Sequence, residues 1–292
     1  MKKEEKDLDS FKKALARKEK LVALLAPSFI ADFDYPLIIY QLRARGFDKI
    51  VELTFGAKMI NREYHKILKE QKDKLFISSV CPGVVETIRN KYPQYRKNLI
   101  PVLSPMTATA KICRKLYPKH KLVFISPCQF KKIETNQSEY VDFAIDYNEL
   151  RKLFEENKEE INKKIKILKK KKTNKIGFDK FYNDYTKIYP LAGGLSKTAH
   201  LKQVLNPGEE VKIDGILEVE KFLQNPDKKV RFIDVTFCKG GCLGGPCVLN
   251  KNLPDKRKRL MKYLNYSKKE KIEENKKGLI RKAEGINFSK VY

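Results

Sequence analysis

The 292-residue chain has no apolar run long enough to span a membrane. Its best stretch, Leu21–Ala26, falls far short of the roughly 20 residues a spanning helix needs. The first ten residues are mostly charged and do not resemble a signal peptide, so a cytoplasmic, reducing setting is expected. Six cysteines are too few to staple a chain of this size with disulfides, and in such a setting clustered cysteines hold metal more often than they pair. There is no internal repeat and no Cys-x-x-Cys-x-x-Cys run that would hold accessory clusters. The basic runs Lys169–Lys172 and Lys256–Arg259 lack the interleaved aromatics of a single-strand binding platform. The formal charge of +27 therefore reads as solvated lysine-rich faces, suited to an acidic protein partner, with no nucleic acid and no membrane expected.

What is present is a globular composition, 41% apolar, with short runs rich in Val, Ile and Phe alternating with helical patterns. That alternation predicts an α/β fold. Strands are expected at Leu21–Ala26, Ile50–Thr54, Leu75–Ser79, Lys121–Ser126, Tyr140–Ile145 and Val230–Val235. Helices are expected from Asp34 to Gly46, and over Ala57–Lys69, Pro82–Lys91, Ser104 to about Tyr117, and Ile216–Gln224. A short helix follows Cys128, and Gly193-Gly194 opens another. Leu150, Leu153, Phe154, Ile161, Ile165 and Leu168 keep helical spacing, which predicts one long amphipathic helix. Residues 251–292 read as a basic helical tail, poorly ordered from about Ser267.

The cysteines recur at one kind of position. Cys81 follows one strand and precedes Pro82-Gly83; Cys128 follows another and Pro127; Cys238 follows the last and precedes Gly240-Gly241-Cys242. Open α/β sheets bind ligands at the carboxyl ends of their strands, so three strands deliver four thiols to one edge. Four thiolates are the usual set for a [4Fe–4S] cluster. Cys113, on the apolar side of a helix, reads as core. Cys238, Cys242 and Cys247 leave a zinc site open as an alternative, weakened by the lack of a second local pair.

These segments resemble the three cysteine motifs of the iron-only hydrogenase large subunit. The first is Ser78-Ser79-Val80-Cys81-Pro82-Gly83. The second is Cys128-Gln129-Phe130-Lys131-Lys132-Ile133-Glu134, and the third is Cys238-Lys239-Gly240-Gly241-Cys242 followed by Gly244-Gly245. Ala26-Pro27-Ser28, Ser104-Pro105 and Gly193-Gly194 fall in the family's order as well. The resemblance implies an H-cluster domain over residues 1–250, with lobes of roughly 20–118 and 119–250. Each lobe would hold a small mixed or parallel sheet flanked by helices, with the cluster in the cleft between them. It makes Cys81, Cys128, Cys238 and Cys242 the ligands of a [4Fe–4S] cubane, with Cys242 bridging to a diiron subcluster carrying CO and cyanide. Pro27, Ser28, Ser104 and Lys131 would line the diiron pocket, and Lys131 and Glu134 would take the catalytic supporting roles.

The departures are specific. Active relatives carry a second, proton-bearing cysteine where this chain has Val80, which cannot titrate. Ser126 and Thr236 stand where methionine is usual, Met106 where glutamine is usual, and the third motif ends Gly244-Gly245-Pro246-Cys247. These changes resemble the divergent, sensory branches of the family. The resemblance therefore implies slow, reversible reduction of protons to dihydrogen. Electrons would come from a ferredoxin-like carrier, and the diiron unit from hydrogenase maturation proteins. The alternative is a non-catalytic [4Fe–4S] protein acting as a hydrogen or redox sensor or an electron-transfer module.

Overall fold

The structure, a computed structural model, describes residues 7–170, 177–180, 185–269 and 281–292. The first half runs α1 (Leu8–Ala16), β1 (Leu21–Leu25), α2 (Leu37–Ala44), β2 (Phe47–Glu52), α3 (Thr54–Glu70), β3 (Phe76–Ile77) and α4 (Pro82–Lys91). Next come α5 (Pro105–Leu116), β4 (Lys121–Ser126), α6 (Phe130–Gln137), β5 (Phe143–Asp146), α7 (Tyr147–Glu155) and α8 (Lys158–Lys170). The chain continues through α9 (Gly194–Thr198), β6 (Glu210–Asp214), α10 (Ile216–Gln224), β7 (Phe232–Thr236) and α11 (Leu253–Ser267).

Every residue of β1 is buried: Val22 and Leu24 enter one core, and Leu21, Ala23 and Leu25 the other. Strands apolar on both faces require helices on both sides, which is the condition for a parallel sheet. Two parallel sheets result, with strand orders β2-β1-β4-β5 and β3-β7-β6. α3 and α5 supply the apolar layer shared by both sheets, where Tyr64 and Met106 meet Phe124 of one and Phe232 of the other. α1, α2, α7 and α11 cover the far face of the larger sheet, and α4 and α10 that of the smaller.

Several expectations need correction. The sheets are not successive along the chain: each takes strands from both sides of residue 118, because the parallel crossovers interleave them. The predicted long helix is two, α7 and α8, broken where Asn157 adopts φ +56°. Asparagine tolerates that left-handed conformation better than most residues. β2 starts three residues earlier than predicted, at Phe47, and it ends at Glu52 because Thr54 already belongs to α3. α1 and the edge strand β6 were not predicted; β6 alternates charged and apolar residues and is only partly buried. The tail is part of the core rather than an appendage. α11 buries Leu260, Tyr263 and Leu264, and Ser289 pairs antiparallel with Val102 while Leu103 N donates to Phe288 O at 2.8 Å. The expected disorder thus does not apply to residues 281–292, whose Phe288 is 3% exposed. Residues 270–280 lie outside the described residues, as do Lys171 and Lys172 of the first basic run.

Candidate metal centre

In the larger sheet the chain reverses its direction of strand addition between β1 and β4, and the loops after these two strands carry Pro27-Ser28 and Cys128. In the smaller sheet, adjacent β3 and β7 are followed by Cys81 and by Cys238–Cys242. Carboxyl-end loops beside such a reversal are where open α/β sheets hold ligands. All four cysteines line one cavity of about 110 Å³, together with Pro27, Ser28, Val80 and Lys131. Cys242 has exposed surface although protein surrounds it, so that surface faces the cavity rather than the bulk. Cys113 lies fully buried in the core, as predicted. Cys247 is 2% exposed behind the cavity wall, its sulfur accepting from Gln129 Nε2 at 3.5 Å. Among the described residues no three His, Cys, Asp or Glu side chains gather as they would around a single metal ion.

Local sequence sets each loop. Cys81 is the residue before α4, with Pro82 in the first turn, and Cys128 N donates to Ser126 Oγ at 3.0 Å. Gly240 and Gly241 take positive φ, and their N–H groups donate to the Asp214 carboxylate at 2.8–3.2 Å. A side chain at Gly241 would put its Cβ 2.4 Å from Pro190 O, and one at Gly245 2.6 Å from Pro127 O. The close approach at Gly245 presses the Cys238–Cys242 loop onto the Cys128 loop. Burial pushes the Cys128, Cys238 and Cys242 thiols up, Cys238 to about 12, and the neighbouring cysteines push each higher. Thiols crowded this way are poor as free anions; iron in place of their protons removes the conflict, so the donor set fits an iron–sulfur cluster.

Lys131 Nζ contacts Glu134 Oε2 at 2.5 Å and lies 3.4 Å from Val80 O. Glu134 Oε1 accepts from Ser104 Oγ and from Thr107 Oγ1, the latter at 3.1 Å. Burial would raise the Glu134 carboxyl, but Lys131 and Ser104 outweigh it and hold the group below its ordinary value. Of the predicted residues, Ser104 and Glu134 are not among those lining the main cavity; they stand behind Lys131. Ser28 shares a 2.7 Å hydrogen bond with the Tyr147 hydroxyl.

The family model described as "Iron only hydrogenase large subunit, C-terminal domain" matches residues 19–246. The chain belongs to this family. It is 26% identical over 306 aligned positions to Iron hydrogenase 1 of Clostridium pasteurianum, an alignment covering 83% of this chain and 52% of that protein. The chain thus spans about half the length of the curated relative it matches. Solved [FeFe]-hydrogenase structures share the fold. The structure of HydA(deltaEFG), described as showing stepwise H-cluster assembly, gives a TM-score of 0.63 at 15% identity, covering 86% of this chain and 88% of that one. A variant of HydA1 from Chlamydomonas reinhardtii gives 0.64 at 15% identity, with the same coverages.

The hydrogenase-like fold also contains residues that sequence reading missed. Ser79, two residues before Cys81, is clasped by two tyrosines: its N donates to Tyr64 Oη at 2.9 Å, and Tyr292 Oη donates toward Ser79 O (3.2 Å) and Val102 O (2.9 Å). Lys187 is fully buried against Glu52 at 2.5 Å, and Tyr263 of α11 and Thr54 complete that carboxylate at 2.6 Å each. No local motif marks Tyr292 or Lys187. Asp234 had a signal, a lone acid in the apolar run Val230–Val235.

Proposed function

We propose that this hydrogenase-family chain binds a [4Fe–4S] cluster through Cys81, Cys128, Cys238 and Cys242, accepts a diiron subcluster with CO and cyanide ligands, and slowly interconverts protons and dihydrogen. The reading is carried by one observation: loops from adjacent strands of two sheets bring four thiols to a single cavity with Lys131 in its wall. When bound, the cluster group would relay electrons and provide the metal at which dihydrogen forms or splits. The chain supplies the rest. Pro27 and Ser28 close the cavity below β1, and Lys131 presents a cation to it, steadied by Glu134, Ser104 and Thr107. Val80 lines the cavity where relatives carry a proton-bearing cysteine, and a valine can neither donate nor accept, so turnover is slow.

Partners in this reading are a ferredoxin-like electron carrier, steered by the +27 charge, and hydrogenase maturation proteins. All six cysteines are free, which suits a reducing cytoplasm, and among the described residues no helix is long and apolar enough to cross a membrane. The test is anaerobic expression with and without maturation enzymes, followed by infrared spectroscopy. Fe–CO and Fe–CN bands in the matured sample alone are expected, with dihydrogen evolution measured by gas chromatography. Iron and sulfide in cubane proportion without those bands would leave a plain [4Fe–4S] protein. Val80→Cys is expected to raise turnover about tenfold or more; no increase in a sample showing the bands would count against the assigned role of this position.

A further inference from the structure

Asp234 is 3% exposed and lines the same cavity as the four cysteines. Its one hydrogen bond of good geometry comes from Ser196 N, 2.9 Å from Oδ2. The Ser196 hydroxyl also reaches toward this carboxylate and lowers its proton affinity, at the margin of hydrogen-bonding geometry. Ser196 also lines a second cavity, of about 540 Å³, together with Glu210, Lys212, His200 and Lys197. Lys197 and His200 are exposed, so this second cavity meets the surface. One wall, made by Asp234 and Ser196, thus separates the thiol-lined cavity from a solvent-facing one.

Three buried polar atoms at or near this partition lack a hydrogen bond of good geometry: Tyr189 Oη in the wall of the inner cavity, Ser196 Oγ in the partition, and Glu210 Oε1 beside the outer cavity. Native proteins leave few such atoms, so three of them around one partition call for a reason. Burial pushes the Asp234 carboxyl up to about 6, with Glu210 adding to the rise and Ser196 and Lys212 opposing it. Tyr64 from α3 and Tyr189 also stand near it, and the four cysteines and Lys131 share its cavity. Glu134 behaves in the opposite way: its oxygens are taken by Lys131, Ser104 and Thr107, and it is held as a fixed anion.

We propose that Asp234, Ser196 and Glu210 carry protons between the outer cavity and the thiol-lined cavity, by a route that does not use Val80. The inference rests on the hydrogenase reading only for what consumes the protons. In one passage the Asp234 O–H bond breaks and its proton enters the inner cavity. The carboxylate recovers a proton through the Ser196 hydroxyl, which accepts one and releases one. The Glu210 carboxylate takes a proton from solvent in the outer cavity and passes it to that hydroxyl, so the chain ends as it began.

The test does not depend on activity. Infrared spectra of the anaerobically purified protein should show a protonated carboxyl band that fades as pH rises through about 6 and is missing from Asp234→Asn. On mixing into D2O, the shift of that band should slow roughly 100-fold in Glu210→Gln and in Ser196→Ala. No such band, or unchanged exchange in both variants, overturns the route. In matured protein, Glu210→Gln should lower dihydrogen turnover by about the same factor with the Fe–CO bands unchanged, and undiminished turnover also overturns it. Should Asp234→Asn fail to fold, the Glu210 and Ser196 variants carry the test. Absence of turnover and of Fe–CO bands in the unsubstituted protein defeats the hydrogenase reading instead, and the exchange rates then decide the route alone.

Discussion

Glu134 and Asp234 are both buried carboxylates, one behind Lys131 and one in the wall of the cysteine-lined cavity, and their surroundings are opposite. Glu134 has a lysine at 2.5 Å and two hydroxyls, and its proton affinity is lowered. Asp234 has one backbone N–H and only a marginally placed serine hydroxyl, and its proton affinity is raised. Glu52 has as many partners as Glu134, with Lys187, Tyr263 and Thr54 filling both oxygens. Burial is common to all three. What separates them is the number and charge of their partners, because each bond to the anion offsets part of the desolvation that burial imposes. The saturated carboxylates brace the structure, and the under-satisfied one is free to exchange a proton.

The comparison breaks most visibly at Lys187. Lys187→Met removes the cation paired with Glu52 inside the core, and the expected loss is about 3–5 kcal/mol by urea unfolding. The double variant Lys187→Met with Glu52→Gln should recover much of it. A loss below about 1 kcal/mol would mean that the pair is dispensable and the contrast between carboxylates overdrawn.

Next in size is the effect of pH. Asp234 moves from an ordinary 3.8 to about 6 on folding, so the native state binds the extra proton between those values. Stability is therefore lost as pH rises through that window, by up to about 3 kcal/mol. Glu134 works with the opposite sign: its contribution is present above its unfolded value and fades as acid protonates it. Asp234→Asn should accordingly gain on the unsubstituted protein between pH 4 and pH 7, while Glu134→Gln loses ground. Parallel pH profiles for the two variants would refute the distinction. The smallest effect is expected at the Ser79 clasp. Tyr292→Phe removes a hydroxyl shared between two carbonyls and should cost about 1 kcal/mol in thermal unfolding, with iron content unchanged.

Most of the candidate site was legible because its signals are local. Cys81 beside Pro82, Cys128 after Pro127, and Cys238 before a run of glycines are each recognisable within a few residues, and Lys131 follows by spacing along one helix. Asp234 was passed over because its neighbours made the strand obvious and the acid in it looked incidental. Ser196 and Glu210 carry no motif; only packing brings them to either side of one partition. The tail misled for a related reason. Its lysine-rich composition suggests a solvated helix, but Phe288 and Tyr292 are anchored by partners nearly two hundred residues away.

By itself the sequence determined the α/β class, most of the strands, the four thiols and their place after strand ends. Apolar runs, turn residues and the cysteine spacing are properties of short segments, and short segments fix local conformation. The tertiary structure decided how the two sheets interleave across residue 118, which carboxylates found cations, and which polar atoms were left without partners. Those outcomes depend on pairings between distant residues, such as Glu52 with Lys187 or Asp234 with Ser196, and only the closed fold brings them together.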